Sequence, residues 1–269
     1  MNLVLRVASG VVLVAVIAAA LWVGTPAVAT VVGAGAVIGA WELRALLGRM
    51  GPTPPAWLII PLSLWLGIRF VLPASDMATD WAFAVAAVVG LLVGIGTRQS
   101  FAGWALAVGG ATYVGLCLGF WLALYRWQMP DPNHLGFRLV ALALAGAVVG
   151  DTAAYFVGSA IGRHPFFHSI SPRKSLEGAV AGAVASVLVG ALAGPWLIGI
   201  SVPLGAGLGA LMTIAAQGGD LVESAIKREA GVKDSGALIP GHGGLLDRAD
   251  SLVLLAPVVY CYLKLIAFP

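Results

Sequence analysis

The sequence predicts an all-α polytopic integral membrane protein with no soluble domain and about nine transmembrane helices, each needing roughly 20 mainly apolar residues. Three observations carry this reading. Hydrophobic residues make up 60% of the 269-residue chain, and its mean hydropathy is +0.97. Charged residues account for only 10%, where a soluble domain carries about a quarter. Finally, apolar stretches of spanning length recur from one end of the chain to the other.

In order, the spans fall at 7–24, 26–42, 55–73, 80–97, 102–125, 137–161, 178–199, 203–226 and 249–267. Pro26, Pro54–Pro55, Pro73, Pro130–Pro132 and Pro165 punctuate the connections between them. The first run follows Arg6 and has some character of a signal peptide. It is long enough to span and lacks an A-x-A site leading into a soluble domain, so it reads as a retained span. Small residues four apart, Gly158/Gly162 and Gly178/Gly182, allow close helix packing in lipid. Without a repeat period or low-complexity linker, 1–269 reads as one membrane-embedded domain. Its N-terminal spans occupy 1–135, and the spans and loops carrying the candidate site occupy 136–269. Cys117 and Cys261 both lie in apolar runs and read as small core residues without a disulfide.

Basic residues set the orientation. With nine spans one side collects Arg6, Arg44, Arg49, Arg98, Arg163, Arg173, Lys174, Lys227, Arg228, Lys233 and Arg248, and the other only Arg69, Arg126, Arg138 and Lys264. The first side is expected to be cytoplasmic, with the N-terminus inside, the C-terminus outside and the inner (plasma) membrane as the location. The outer loops carry Asp76, Asp80 and Asp131 instead. Trp41, Trp57, Trp81, Trp127 and Trp196 fit interfacial belts, and ordinary packing explains each of them equally well.

Chemistry concentrates between Gln217 and Asp250, in QGGDLVESAIKREAGVKDSGALIPGHGGLLDRAD. Half of the chain's 12 carboxylates lie here: Asp220, Glu223, Glu229, Asp234, Asp247 and Asp250. On a helix Asp220, Glu223, Ser224 and Lys227 share one face, and so do Asp247 and Asp250. Asp220, Asp247 and Asp250 are hard oxygen ligands suited to Mg²⁺, which takes one or two carboxylates plus substrate phosphate. Lys227, Arg228, Lys233 and Arg248 can neutralise charge on a phosphoryl group. Gly241, Gly243 and Gly244 flank His242, in a turn able to aim backbone N–H groups at an anion. The plainer reading is a loop closed on its own ion pairs, such as Asp247 with Arg248. Carboxylates abutting membrane spans favour the chemical reading.

Two further elements lie upstream. Asp151 falls within a span, where an ionisable group is costly and is a functional candidate, and Tyr155 follows one turn along. The loop GRHPFFHSISPRKSLEG offers Ser171, Arg173, Lys174 and Ser175, a mixture that suits phosphate oxygens and equally suits lipid headgroups. His164 and His168 read as interfacial. The nine-span topology puts this loop and the 217–250 stretch at one cytoplasmic mouth. P-loop, H-E-x-x-H and G-x-S-x-G motifs are absent.

The segment SAIKREAGVKDSGALIPGHGGLLDRAD resembles the signature of phosphatidate cytidylyltransferases. It supplies Ser224, Lys227–Arg228, Lys233–Asp234, Gly236, Pro240, His242–Gly243–Gly244, Asp247–Arg248 and Asp250 at the spacing that signature asks for. QGGDLVESAIKR is similar to the family's Q-x-G-D-L-x-E-S segment. DTAAYFVGSAIGRHPFFHSISPRKSLEG is similar to its D-x-x-A-Y-F-x-G…S-P-K-K region, with Arg173 at the first lysine. The match covers the C-terminal half. The resemblance implies transfer of cytidylyl from CTP to phosphatidic acid at the cytoplasmic leaflet, with Mg²⁺ and a second cation as an option.

On that basis Asp220, Asp247 and Asp250 are the expected metal ligands, and Lys227, Arg228 and Arg248 join Asp220, Asp247 and Asp250 as catalytic residues. Substrate contacts are expected from Asp151, Tyr155, Ser171, Arg173, Lys174, Ser175, Gln217, Glu223, Ser224, Lys233, Asp234, His242, Gly243 and Gly244. The expected partners are CTP, phosphatidic acid and the bilayer, with no nucleic acid; a homodimer is left open. A cytidylyltransferase for another lipid phosphate is the nearest rival. A transporter stands further off, because the sequence shows no internal symmetry.

Overall fold

The computed structural model of the protein describes residues 3–72, 77–97, 99–127, 134–241 and 243–268. Asp76, Arg98, Asp131 and His242, together with Pro73, Pro130 and Pro132, lie outside them, as do the side chains of Arg6 and Asp80. Among the described residues the secondary structure is helical, apart from isolated bridges at Pro165–Ser175 and Ile239–Gly243 in the connecting loops.

The helices are α1 Leu3–Val23, α2 Thr25–Met50, α3 Ala56–Ile68, α4 Met77–Gly96, α5 Phe101–Ala111, α6 Cys117–Tyr125, α7 Leu135–Ile161, α8 Leu176–Ile198, α9 Val202–Glu229 and α10 Leu246–Tyr262. A π-helical turn at Thr112–Leu116 joins α5 to α6, so the described residues form nine helical segments, one for each span read from the sequence. Five are long and apolar enough to cross a membrane: Thr25–Met50, Phe101–Tyr125, Leu135–Ile161, Leu176–Ile198 and Leu246–Ala267. Ala8–Val23, Ala56–Val71 and Trp81–Gly96 are apolar but shorter. The protein is therefore a helical multi-pass membrane protein. Helix α9 differs in character: it is 28 residues long, but its second half carries Gln217, Asp220, Glu223, Lys227 and Arg228.

Two boundaries differ from the sequence reading in ways that matter. Helix α2 runs to Met50 rather than ending near 42, because Leu43 and Leu46 continue its buried face and Ala45, Leu46 and Leu47 are strong helix formers. Helix α10 starts at Leu246, three residues early, which puts Asp247 in its first turn.

The chain forms two compact units. The first comprises Met1–Ala123 and Ile226–Ala249. Its apolar core sets Leu58, Ile59, Leu62 and Leu66 of α3 against Ala107 and Ala111 of α5 and Ala40 of α2. Burying each of the leucine and isoleucine side chains stabilises by roughly 1.5–3 kcal/mol on a water-based scale; within lipid the gain is in packing.

The second unit comprises Leu124–Ala225 and Asp250–Pro269. Here α7 and α8 form the most extensive helix pair. The expected small-residue seam is present: a Cβ on Gly178 would lie 2.7 Å from the Ala154 carbonyl oxygen and 3.1 Å from the Gly158 Cα. Ser186 Oγ, buried in α8, donates to the Gly146 carbonyl of α7 at 2.9 Å. Trp127 departs from the belt reading. It is buried and packs edge-on against Tyr260, with ring centroids 5.3 Å apart. Cys117 is half-buried and Cys261 exposed, and both thiols are free.

Candidate active site

The chemistry-bearing residues gather in two clusters, one in each unit. In the first unit, α9 ends with Gly231 in the left-handed region at φ +69°. Val232 N–H donates to the Lys227 carbonyl at 2.9 Å and Gly231 N–H to that of Arg228 at 3.1 Å. This double bond pattern is a Schellman closure, which only a residue tolerating positive φ completes without strain. It leaves Lys227 in the last turn, where a cation suits the helix dipole. The loop that follows turns back at Ile239–Gly243 and delivers Asp247 to the first turn of α10.

Lys227 Nζ lies 2.6 Å from Asp247 Oδ1, and the two side chains are 12% and 5% exposed. The other oxygen, Oδ2, accepts from Ser235 N–H at 2.8 Å, Gly244 N–H at 2.8 Å and the Ser235 hydroxyl at 2.9 Å. Asp247 is thus a buried carboxylate with one oxygen saturated by neutral donors and the other held by an ammonium. The glycines beside it make room: a Cβ on Gly243 would come within 2.6 Å of Asp247 Oδ2. Arg228, Lys233, Asp234 and Arg248 are exposed. Arg228 Nη1 reaches the Val232 carbonyl at 3.4 Å.

One member of this cluster escaped the sequence reading. Glu42 of α2, 6% exposed, accepts from Leu245 N–H at 2.9 Å and Leu246 N–H at 2.8 Å. The signal that could have flagged it is the rule applied to Asp151, that a lone carboxylate at the end of an apolar run needs a reason.

In the second unit, the loop between α7 and α8 folds on itself. Phe166 N–H donates to the Lys174 carbonyl and Leu176 N–H to that of His164, each at 2.9 Å. His164 Nδ1 lies 2.6 Å from Glu177 Oε1, which ties the loop to the start of α8. Lys174 Nζ is 2.6 Å from Asp220 Oδ2, at side-chain exposures of 26% and 32%. Asp220 Oδ1 accepts from the Ser224 hydroxyl at 3.1 Å. Asp151 on α7 stands within electrostatic reach of both Asp220 and Lys174.

The remaining residues do local work. The Ser175 side chain accepts from Gly178 N–H at 3.2 Å and caps α8. The Ser171 carbonyl accepts from Lys174 N–H at 3.2 Å, and Arg173 is exposed. Gln217 Nε2 donates to the Ala179 carbonyl at 3.1 Å. Tyr155 is exposed and sets its ring edge-on to Phe156. Glu223 is buried. Asp250 Oδ1 accepts from Ser251 N–H at 2.6 Å.

Among the described residues no three His, Cys, Asp or Glu side chains converge where they could hold a metal ion. Mg²⁺ does not require three, because phosphate and water complete its shell. Asp220 fits such a role. It is a hard-oxygen donor, partly exposed, and its Oδ1 carries one hydrogen bond from Ser224. Asp247 fits only through Oδ1, in exchange for Lys227.

Each unit thus holds a lysine–carboxylate pair, buried for Lys227–Asp247 and partly exposed for Lys174–Asp220, and charges so arranged suit phosphate chemistry. Comparison with known proteins narrows that chemistry: the cytidylyltransferase family matches residues 4–266. The chain belongs to this family. It is 45% identical over 152 residues to a phosphatidate cytidylyltransferase of Synechocystis sp., covering 55% of this chain and 50% of that protein. It is 38% identical over 218 residues to a phosphatidate cytidylyltransferase of Brucella suis, covering 80% of this chain and 74% of that protein. An Escherichia coli protein named only as uncharacterized YnbB is 38% identical over 165 residues, 61% of this chain and 52% of its own length. The matched stretch thus spans half the length of the Synechocystis relative.

Proposed function

We propose that the protein transfers the cytidylyl group of CTP to phosphatidic acid, yielding CDP-diacylglycerol and pyrophosphate for phospholipid synthesis. The observation that carries this reading is the buried Lys227–Asp247 pair set within the K-R…H-G-G-x-x-D-R-x-D segment of a cytidylyltransferase-family chain. In the reaction a phosphate monoester oxygen of the lipid attacks the α-phosphorus of CTP. A new P–O bond forms as the bond from the α-phosphorus to its bridging oxygen breaks, and pyrophosphate leaves with the electron pair. The nucleophile is already an anion, so positioning and charge neutralisation are what the protein must supply.

Lys174, beside Asp220, and Lys227, beside Asp247, are point charges for phosphate oxygens. Arg173, Arg228 and Arg248 are exposed guanidinium forks for the same work. Asp151, Tyr155, Ser171, Ser224 and Lys233 complete the substrate contacts in this reading. Asp220, with Asp247 and Asp250 as the other candidates, would hold Mg²⁺, which when bound withdraws charge from phosphate oxygens. The excess of basic residues on one side supports an inner-membrane protein with its N-terminus and reactive loops in the cytoplasm.

The test uses the full-length protein in detergent with CTP labelled at the α-phosphate, following label into the organic phase. Phosphatidic acid, a polyprenyl phosphate and no lipid are compared as acceptors, with and without EDTA. Label entering lipid only with phosphatidic acid, and not with EDTA, supports the reading. Label entering only the polyprenyl phosphate would move the assignment to another acceptor.

A further inference from the structure

Glu42 lies outside the segments 151–178 and 217–250 that carry the resemblance read from the sequence, and about 190 residues or more before the loop it contacts. Both of its carboxylate oxygens are nevertheless held by hydrogen bonds. Oε1 accepts from Leu245 N–H, while Oε2 accepts from Leu246 N–H and lies 3.2 Å from the Ser235 hydroxyl. The same hydroxyl is 2.9 Å from Asp247 Oδ2. It has one proton to give and sits between the two carboxylates. Together Glu42 and Asp247 accept the N–H groups of Ser235, Gly244, Leu245 and Leu246.

At the start of α10 the Leu245 and Leu246 N–H groups thus end on Glu42, while Asp247 in the first turn takes the Ser235 and Gly244 N–H groups of the loop, and the helix dipole favours both acids. The chain around Glu42 is cut to its shape. A Cβ on Gly236 would lie 2.8 Å from Glu42 Oε1, and one on Gly244 2.6 Å from Oε2. One turn earlier on α2, a Cβ on Gly39 would lie 3.2 Å from the Leu246 side chain, so α2 and α10 meet closely at this point. The Asp247 carboxylate keeps its orientation only while this frame holds. Ser235 and Gly244 fix its Oδ2, Glu42 fixes the loop and helix end to which they belong, and Oδ1 is thereby left facing Lys227.

We infer that Glu42 is a positioning residue for the transfer reaction: it fixes the 235–246 loop and the α10 N-terminus so that Asp247 presents Oδ1 to Lys227. This rests on the functional reading above. Glutamine at 42 places an amide N–H₂ against one of the two backbone donors or the Ser235 hydroxyl, so one buried donor loses its acceptor. That loss is worth roughly a factor of ten or more.

The test measures kcat and KM for CTP on full-length wild type, Glu42→Gln, Glu42→Asp and Ser235→Ala, with hydrogen exchange of the Leu245 and Leu246 amides. The expected result for Glu42→Gln is a kcat at least about tenfold lower per folded molecule with KM for CTP little changed, alongside faster exchange at both amides. Glu42→Asp should recover part of the kcat, and Ser235→Ala, which keeps the backbone bonds, should lose less than Glu42→Gln. If Glu42→Gln exchanges faster but keeps the wild-type kcat, Glu42 is a structural residue only and the inference is overturned. Should the Glu42 variants not fold, an unchanged kcat in Ser235→Ala overturns the link to Asp247 and a reduced one supports it. Absence of transfer in wild type would instead strike the functional reading, and the exchange result would still report on the frame.

Discussion

Lys227 and Asp247 are 20 positions apart in sequence and 2.6 Å apart in space, with both side chains largely withdrawn from solvent. The helix end, the closing turn and the start of α10 all converge on that contact. A pair so placed costs desolvation to form and costs more to break on one side only.

The first prediction follows from that asymmetry. Lys227→Met leaves Asp247 charged and buried, and should lower unfolding stability by about 3–5 kcal/mol. Adding Asp247→Asn removes the orphan charge and should recover part of the loss. Neither protein should transfer cytidylyl at more than about 1% of the wild-type rate, given the electrostatic role. Thermal melts in detergent together with the label assay check both halves; a double variant no more stable than Lys227→Met contradicts the burial argument.

The Lys174–Asp220 pair should behave differently, because both side chains are substantially exposed. Lys174→Gln should change stability by less than about 1 kcal/mol. If Lys174 serves phosphate, the same substitution should still reduce kcat/KM by roughly tenfold or more, the value of a charge-assisted hydrogen bond. An unchanged kcat/KM would return Lys174 to an ordinary surface pair.

At Ser175 the prediction separates a helix cap from a substrate contact. Ser175→Ala should cost about 1 kcal/mol through the lost bond to Gly178 N–H. Ser175→Asn, a comparable cap, should cost only a few tenths. Equal melting points for wild type and Ser175→Ala would show that the cap contributes nothing measurable.

Glycine tolerance should divide sharply between two positions. Gly244→Ala drives a methyl into Ser235 and Glu42, and should destabilise by roughly 1–3 kcal/mol. Gly218, in the middle of α9, has open space where a Cβ would stand. Gly218→Ala should therefore be neutral or stabilising by up to about 1 kcal/mol. Melting curves of the two variants, side by side, decide it.

Much of the architecture was legible in the sequence. Apolar runs of spanning length have one stable outcome in a bilayer, where every backbone polar group must be satisfied within the segment. The glycine seam of α7 and α8 was readable for a related reason, since small residues four apart share a face. The family was readable from the spacing of Lys227, Asp234, His242 and Asp247. Ion-pair partners were not. Asp247 sits beside Arg248 in sequence, but successive residues on a helix point apart, and the loop geometry brings Lys227 instead. Glu42 could have been flagged as a lone carboxylate in an apolar run, but its role could not be read: its partners are backbone N–H groups about 200 residues away, and no local pattern records them. Ser175 was ambiguous because a hydroxyl before a helix suits a cap and a phosphate alike.

The most direct measurement is the fate of each phosphorus of CTP. Full-length protein in detergent is given phosphatidic acid, Mg²⁺ and CTP labelled either at the α- or at the γ-phosphate. Cytidylyl transfer requires the α-label to enter the lipid and the γ-label to appear as pyrophosphate in equal amount. If the γ-label enters the lipid, the protein is a phosphoryl-transfer enzyme of a different kind, and attack at the α-phosphorus is wrong.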